Sequence, residues 1–332
     1  MAVYTHLSAE NLSGLIAHYD VGELVSAKGI AEGVSNSNWL LETTGPDAAR
    51  VDSPHGSARY ILTMYERRIK IGDLPFFLGL LDHLSAASLP VPRTIHDRSG
   101  AAFRMVGNKA VALIEFLPGV SVDRPTPAQA HSVGKALAGM HLASADFAGT
   151  RENDLRPSDW QALLGQYTDS QLAQIDADLP EFIEAHLPRL MAAWPDDLPQ
   201  AIIHADLFPD NVLMRGNAVS GLIDFYFACK DMAAYDLAVT HAAWCFDRTG
   251  EHFDAAVGLA LLEGYAAVRP LSAAERDALP ILAQGAAMRF VATRAADWID
   301  TPGDALVTRK DPMEFARRLT FYAEHGAQAF TI

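Results

Sequence analysis

Cysteine is almost absent from this sequence: Cys229 and Cys245 are the only two in 332 residues. Two thiols cannot build the disulfide framework that stabilises small secreted domains. Both stand among apolar residues, where a buried free thiol is the expected state. The composition therefore excludes a disulfide-rich extracellular module and favours a reducing compartment.

Basic residues are also scarce. Lysine and arginine number 26 against 41 aspartates and glutamates, which gives a formal net charge of −15. A surface of this sign repels nucleic-acid phosphates and anionic lipid, so we expect neither nucleic acid nor a membrane surface as a partner. An anionic ligand would need a few local cations or a metal ion.

Long apolar runs are missing as well. No stretch reaches the roughly 18 apolar residues of a membrane helix, and even residues 255–268 are interrupted by Glu263. The first eight residues lack the basic and then apolar layout of a signal peptide. We therefore expect a cytoplasmic protein. Its 50% hydrophobic residues suffice for the core of one large domain or two packed lobes.

Strand-like segments dominate the sequence up to residue 116. An amphipathic helix is predicted at 8–19, with Ser8 as a candidate N-cap. The pattern then predicts strands at 23–27, 38–43 and 60–65, a helix at 75–87, and a hairpin of 102–106 and 110–116 around Gly107-Asn108.

Helical periodicity dominates the remainder, beyond the breaker Leu117-Pro118-Gly119. Helices are predicted from Thr126-Pro127 onwards and near 169–194, 233–246, 253–268, 273–299 and 312–324, with a capping box from Ser272 to Glu275. Only 201–224 interrupts them, with two short apolar runs around 215–217. We predict an α+β fold with a small antiparallel β-rich lobe, residues 1–116, and a large, mainly helical lobe, residues 117–332. Ligands commonly lie in the cleft between two such lobes.

The strongest functional signal is a polar loop between two short apolar runs. It reads His204-Ala205-Asp206-Leu207-Phe208-Pro209-Asp210-Asn211, and a later apolar pair leads into Asp224, thirteen residues after Asn211. A carboxylate on such a loop can accept a proton from an attacking hydroxyl group, while an amide oxygen and a second carboxylate hold Mg²⁺ on nucleotide phosphates. We therefore predict Asp206 as the base, and Asn211 and Asp224 as metal ligands.

Each of these residues also fits a purely structural role. Asp206 can cap a turn, Asn211 can occupy a left-handed position and Asp224 can end a strand. The combination of all three at this spacing favours a site over three separate structural roles.

These motifs resemble those of the protein-kinase-like phosphotransferases of small molecules, the aminoglycoside and choline kinase superfamily. Residues 204–211 follow its His-x-Asp-x-x-x-x-Asn motif, Ile223-Asp224 its apolar-Asp loop, and Tyr235-Asp236 the place of an aspartate that supports the catalytic loop. Within the superfamily, the sequence is most similar to the bacterial homoserine kinases of this fold. The segments that carry this similarity are 60–67, 74–77, 89–92, 244–247, 289–290 and 310–315.

The resemblance implies a protein-kinase-like fold with a nucleotide-binding first lobe. It implies transfer of the γ-phosphoryl group of ATP, with Mg²⁺, to the side-chain hydroxyl of L-homoserine in threonine biosynthesis. Two alternatives stay open: another hydroxyl kinase of the superfamily, acting on choline, an aminoglycoside or a sugar, and an inactive nucleotide-binding pseudokinase. The pseudokinase is motivated by Thr63, which stands where protein kinases hold their ATP-binding lysine; the nearby cations are Arg67, Arg68 and Lys70.

For the nucleotide, the resemblance points to three segments. The candidate residues are Gly33, Ser35, Asn36, Glu115, Leu117, Leu213 and Ile223. The first three lie in a loop that would cover the phosphates, although an ordinary hairpin turn fits that loop equally well. The next two lie between the lobes, where backbone groups would meet the adenine edge. The last two would form an apolar floor beneath the base.

An amino-acid acceptor brings an ammonium and a carboxylate group beside its hydroxyl, so its pocket needs an acidic residue and an arginine or lysine. The candidates are Asp210, Asp236, Trp244, Arg289 and Arg294. The two arginines are five positions apart on one predicted helix, about 140° around its axis, and thus cannot face the same pocket. Each candidate also fits an ion pair or a helix-packing contact.

Two histidines near these motifs, His141 and His204, are expected to be hydrogen-bonded structural side chains rather than catalysts. The sequence leaves the oligomeric state open.

Overall fold

The computed structural model of the chain describes residues 7–30, 36–45, 58–66, 69–301 and 309–331. The chain divides into two units, Met1–Gly119 and Val120–Ile332. This division lies three residues after the boundary predicted from the sequence, at the end of the Leu117-Pro118-Gly119 breaker. The prediction of a β-rich first part and a helical second part is confirmed.

An antiparallel sheet forms most of the first unit. Its strands are β1 (Leu24–Ile30), β2 (Asn36–Thr43), β3 (Ala58–Tyr65), β4 (Thr94–Ile95), β5 (Arg104–Val106) and β6 (Lys109–Glu115). They lie in the order β1-β2-β3-β6-β4, and β5 pairs with β6. Helix α1 (Ala9–Ile16) begins at the predicted N-cap Ser8, and α2 (Leu74–Ala86) precedes β4.

The core of this unit follows from the alternation of side chains along its strands. In β2, Trp39 and Leu41 point inward, and Leu62 of β3 lies with them in the same apolar cluster. Leu12 and Ile16 of α1 belong to this cluster, as the helical spacing of its apolar residues predicts. Strand β4 was not predicted, because two residues carry no periodicity.

The second unit is mainly helical. Its helices are α3 (Pro127–Ala143), α4 (Pro157–Leu164), α5 (Asp169–Leu172), α6 (Leu179–Ala193), α7 (Ala233–Trp244), α8 (Ala255–Ala266), α9 (Ala273–Asp300) and α10 (Met313–Ala329). Two short antiparallel pairs accompany them: β7 (Gln200–Ile203) with β10 (Cys229–Met232), and β8 (Val212–Arg215) with β9 (Ala218–Leu222). The N-cap predicted at Thr126 and the capping box predicted at Ser272 are confirmed, and Thr126 forms a capping box as well.

The prediction of one helix at 169–194 is wrong, since α5 and α6 occupy this segment as two separate helices. Pro180 lies in the first turn of α6, where its missing N–H group costs nothing and its fixed φ suits the start of a helix. Helix α4 and strand β10 were also missed. Strand β10 forms by pairing with a segment more than twenty residues earlier in the chain, a relation that local periodicity does not contain.

Helix α7 lies at the centre of the second unit. All twelve of its residues are buried, and α9 packs against both α7 and α10. Protein therefore surrounds this helix on every side, and its packing fixes the position of Asp236 in the first turn. Both cysteines are buried and unpaired, as expected. None of the helices in the described part of the chain combines the length and the apolar character that crossing a bilayer requires.

Candidate active site

Two loops of the second unit carry the residues predicted for catalysis and metal binding. The first connects β7 to β8 and contains Asp206 and Asn211, and the second follows β9 and contains Asp224. Of the three non-glycine residues with positive φ in the described part of the chain, two lie here: Ala205 at +62° and Asp224 at +66°. The left-handed conformation costs an ordinary side chain roughly 1–2 kcal/mol, so neighbouring groups must hold these loops.

Asp236 holds the first loop through its backbone. Its carboxylate accepts hydrogen bonds from the N–H groups of His204 and Ala205, each at 2.7 Å, and from His141 Nε2 at 3.0 Å. Burial alone would raise the pKa of Asp236, but the hydrogen bond and charge of His141 and the bond from His204 outweigh it and lower the pKa. The carboxylate therefore stays ionised and keeps accepting both backbone bonds.

His204 connects the two loops. Its Nε2 donates to the carbonyl oxygen of Ile223 at 3.0 Å, and its Nδ1 accepts from the N–H group of Asp206 at 3.3 Å. Burial lowers the pKa of His204, although the charges of Asp236 and Asp206 oppose this. A neutral imidazole with its proton on Nε2 serves both bonds, and it fixes the base relative to the residue before Asp224.

Asp206 and Asn211 face each other across the first loop. The Asn211 Nδ2 donates to the backbone oxygen of Asp206 at 2.8 Å and lies 3.3 Å from its Oδ2. The side chain of Asp206 is 19% exposed. Desolvation raises the pKa of this carboxyl group, with Arg289 and His204 opposing the shift. A raised pKa makes the carboxylate a better proton acceptor for an alcohol.

Asp224 lies beside a concentration of negative charge. The residue is exposed, but its carboxylate has lost part of its surrounding water. This desolvation and the charges of Asp206 and Asp210 raise the pKa of Asp224 to about 7, and the charge of Lys310 opposes the rise. The Asp224 carboxylate accepts no hydrogen bond from any residue that the structure describes. Its oxygens are therefore free to bind a cation.

The donor set fits a hard divalent cation. Because the Asn211 amide nitrogen bonds Asp206, its oxygen is the atom left for a metal, and the Asp224 carboxylate on the second loop is a further oxygen donor without a partner among the described residues. Within the described ranges, no three histidine, cysteine or acidic side chains converge to hold a metal by themselves. Mg²⁺ commonly takes one or two protein oxygens and completes its shell with substrate phosphates and water.

The nucleotide candidates fall in both units. Gly33 and Ser35 lie outside the described residues, as do Arg67 and Arg68. Three of the remaining candidates lie in the first unit. Asn36 is buried at the start of β2, Glu115 ends β6, and Leu117 is half-buried two residues later. The other two lie in the second unit, where Leu213 of β8 and Ile223 beyond β9 are both half-buried.

The lysine position of protein kinases carries a different contact in this chain. Thr63 is buried in β3, and its hydroxyl donates to Asn38 Oδ1 at 2.8 Å. Lys70 is exposed. Thr63 thus has a structural partner within the sheet and no charge to offer a phosphate group.

The acceptor candidates differ in how far their polar groups are engaged. Asp210 is exposed on the first loop. The indole N–H of Trp244 donates to the Leu207 oxygen at 2.8 Å, and Arg294 donates to the Asp311 oxygen at 2.9 Å and to Glu314 at 2.6 Å. Asp236 and Arg289 bond the backbone of the first loop. The structure therefore leaves Asp210 open, while the other four are engaged within the protein.

Lys310 is a residue to which sequence reasoning gave no role. It is exposed just before α10, and its Nζ lies 5.9 Å from the centre of the Phe208 ring. Its positive charge opposes the rise in the pKa values of Asp206 and Asp224. In the described part of the chain it forms no ion pair. The only signal for it was its place in the segment 310–315, which carried the family similarity without a chemical role.

Comparison with known proteins identifies close relatives over the whole chain. The sequence model of the phosphotransferase enzyme family (APH) matches residues 26–271. The homoserine kinase of Acidiphilium cryptum is 49% identical over 329 residues, covering 99% of each chain. The homoserine kinase of Xanthobacter autotrophicus is 48% identical over 322 residues, covering 97% of this chain and 96% of that protein.

Solved structures share the fold at much lower identity. An amicoumacin kinase in complex with AMP-PNP, Ca²⁺ and Ami has a TM-score of 0.67 at 13% identity, covering 97% of this chain and 94% of that one. A microcompartment-associated aminopropanol kinase has a TM-score of 0.66 at 16% identity, covering 97% and 99%. These similarities extend to both units and show a common fold.

Proposed function

We propose that this chain, which belongs to the phosphotransferase enzyme family, is a homoserine kinase: it transfers the γ-phosphoryl group of ATP to the side-chain hydroxyl of L-homoserine. The product is O-phospho-L-homoserine, an intermediate of threonine biosynthesis. The observation that carries phosphoryl transfer is the grouping of Asp206, Asn211 and Asp224 on two loops joined by His204. The acceptor is supported by the relatives that match nearly the full length of the chain. We also propose the cytoplasm as the place of this reaction.

In this reaction Asp206 accepts the proton of the attacking hydroxyl group. Its raised pKa and its partly exposed carboxylate suit that task. Asn211 and Asp224 would hold Mg²⁺, which when bound neutralises charge on the phosphate oxygens. His204 and Asp236 keep the two loops in register, so that base and metal ligands hold one geometry during turnover.

A panel of alcohols tests this proposal directly. ADP release is measured with ATP, Mg²⁺ and, in turn, L-homoserine, choline, an aminoglycoside and a sugar. We expect a kcat/KM for L-homoserine at least about a hundredfold above the others, because a site built for charged groups rejects acceptors that leave those groups unpaired.

Turnover of another alcohol without homoserine would transfer the proposal to that substrate class. Nucleotide binding without turnover of any alcohol would indicate an inactive binding protein. L-serine provides the matched control acceptor, since it carries the same charged groups on a chain one carbon shorter.

Recognition of the acceptor is assigned to Lys310 and Asp210. Both are exposed, both act electrostatically on Asp206 and Asp224, and they carry opposite charges. An amino acid whose hydroxyl group points at Asp206 can place its carboxylate by Lys310 and its ammonium by Asp210. Two opposite charges beside the base would thereby favour a zwitterionic alcohol over a neutral one.

Two analogues of homoserine separate these contacts. The alcohol 4-hydroxybutyrate lacks the ammonium group, and 3-aminopropan-1-ol lacks the carboxylate. Replacing Lys310 by methionine is expected to lower kcat/KM about 10- to 100-fold for homoserine and 4-hydroxybutyrate, the value of a charge-assisted hydrogen bond, but not for 3-aminopropan-1-ol. Asp210→Asn is expected to lower kcat/KM for homoserine and 3-aminopropan-1-ol, but not for 4-hydroxybutyrate. A rise in the KM for ATP alone in Lys310→Met would instead make Lys310 a phosphate ligand.

A further inference from the structure

Both backbone polar groups of Ala205 are held by side chains. Its N–H group donates to Asp236 Oδ1 at 2.7 Å, and its carbonyl oxygen accepts from Arg289 Nη1. Asp236 comes from α7 and Arg289 from α9, two helices that pack against each other. Two elements of the helical core thus reach the residue immediately before the base.

The conformation of Ala205 needs such support. At a φ of +62° it lies in the left-handed region, which a residue with a Cβ atom avoids unless its surroundings hold it there. Without one of the two contacts, the backbone would relax to a more common conformation. A change at position 205 would redirect the carboxylate of Asp206, because the two residues share a peptide bond.

Arg289 is built into the protein rather than presented to a ligand. It is 2% exposed, its guanidinium group lies 4.7 Å from the ring centre of Phe290 and 5.3 Å from that of Phe227, and its Nη2 is 4.0 Å from Asp206 Oδ1. The carboxylate of Asp206 offsets the buried positive charge. A planar guanidinium group can reach the carbonyl oxygen of one residue and the carboxylate of the next simultaneously, which an ammonium group does less well.

We infer that Arg289 is a positioning residue for phosphoryl transfer: by holding the carbonyl group of Ala205, it keeps the catalytic loop in its left-handed conformation and Asp206 aimed at the acceptor. This role replaces the acceptor contact that the sequence suggested for Arg289. The inference rests on the proposed phosphotransfer but not on the identity of the acceptor. Its test can use whichever alcohol the wild-type enzyme phosphorylates.

The chain contains a matched control. Arg318 of α10 is 4% exposed, donates to the backbone oxygens of Ala242 and Asp247, and lies against Phe315 and Phe246. It therefore repeats the chemistry of Arg289 away from the catalytic loop. Arg289→Met and Arg318→Met remove equivalent groups from the core.

We expect both variants to lower the unfolding temperature, but only Arg289→Met to lower kcat, by about 10- to 100-fold, the cost of a misplaced catalytic group. The KM values for ATP and acceptor should stay within about threefold, since Arg289 is buried and bonds the protein backbone. Arg289→Lys, which keeps charge and volume, should fold even if the methionine variant does not and should give an intermediate kcat. Rates are normalised to folded enzyme by circular dichroism.

A second substitution tests the mechanism. Glycine adopts the left-handed conformation without the cost of a Cβ atom, so Ala205→Gly in the Arg289→Met background is expected to recover about fivefold in kcat. A double variant no faster than Arg289→Met would overturn the role assigned to the Ala205 carbonyl group. A large rise in the acceptor KM with kcat retained would instead make Arg289 a substrate ligand, and equal kcat values for Arg289→Met and Arg318→Met would leave it a purely structural residue.

Discussion

Replacing Asp206 by asparagine is expected to lower kcat by about 10²- to 10⁴-fold, the contribution of a general base, while ATP binding persists. Asparagine keeps the shape of the side chain and an oxygen that can accept from Asn211 Nδ2, which lies 2.8 Å from the Asp206 backbone oxygen and 3.3 Å from Oδ2. The loop should therefore stay in place, but no group remains to take the hydroxyl proton. Steady-state kinetics and calorimetric titration with ATP and Mg²⁺ measure the two quantities separately.

Asp210→Asn on the same loop is the matched control. It removes one negative charge near Asp206 and Asp224 but leaves the carboxylate of the base in place. We expect this variant to change the acceptor KM rather than kcat. If Asp206→Asn kept its kcat within a factor of about ten, Asp206 would not be the base.

Loss of the Asp224 carboxylate is expected to weaken nucleotide binding in the presence of Mg²⁺. Asp224→Asn should weaken this binding by about 10- to 100-fold or more. Loss of a group that only supports a metal ligand already costs a metal site that much affinity. Asparagine tolerates the left-handed conformation that Asp224 adopts at φ +66°. Asp224→Ala should lose the same affinity and additionally about 1 kcal/mol of stability, because alanine is strained there.

Calorimetry and thermal unfolding together separate these two effects. A partial recovery of activity at high Mg²⁺ concentration is expected for Asp224→Asn, because mass action offsets the weaker site. Unchanged affinity in both variants would exclude Asp224 as a metal ligand.

The raised pKa of Asp224 adds a pH dependence with a definite sign. With a pKa of about 7 in the metal-free protein, the carboxylate is protonated below that pH, and proton and metal compete for the same oxygen. Apparent Mg²⁺ affinity should thus fall by about tenfold per pH unit below about pH 7 and level off above it. The dependence should disappear in Asp224→Asn. An affinity independent of pH between about 6 and 8 in the wild type would contradict competition at this residue.

Local sequence patterns predicted most of the fold. The order of strands and helices follows from side-chain periodicity, and Ser8, Thr126 and Ser272 begin helices as their capping patterns predict. The failures concern elements that depend on distant partners or on a short signal. Strand β10 forms by pairing with the distant β7, and α6 begins one residue before a proline that suits a first turn.

The site divides in the same way. Asp206, Asn211 and Asp224 stand in one short stretch whose spacing reflects the loops that carry them, so the sequence by itself was enough to predict them as base and metal ligands. The resemblance already pointed to Asp236 as an aspartate that supports the catalytic loop, and the tertiary structure shows its bonds to the backbone of His204 and Ala205. What only the tertiary structure decided is that Arg289 and Lys310 lie near Asp206. They stand 83 and 104 positions beyond Asp206, and no spacing rule links residues that the packing of α9 and α10 brings together.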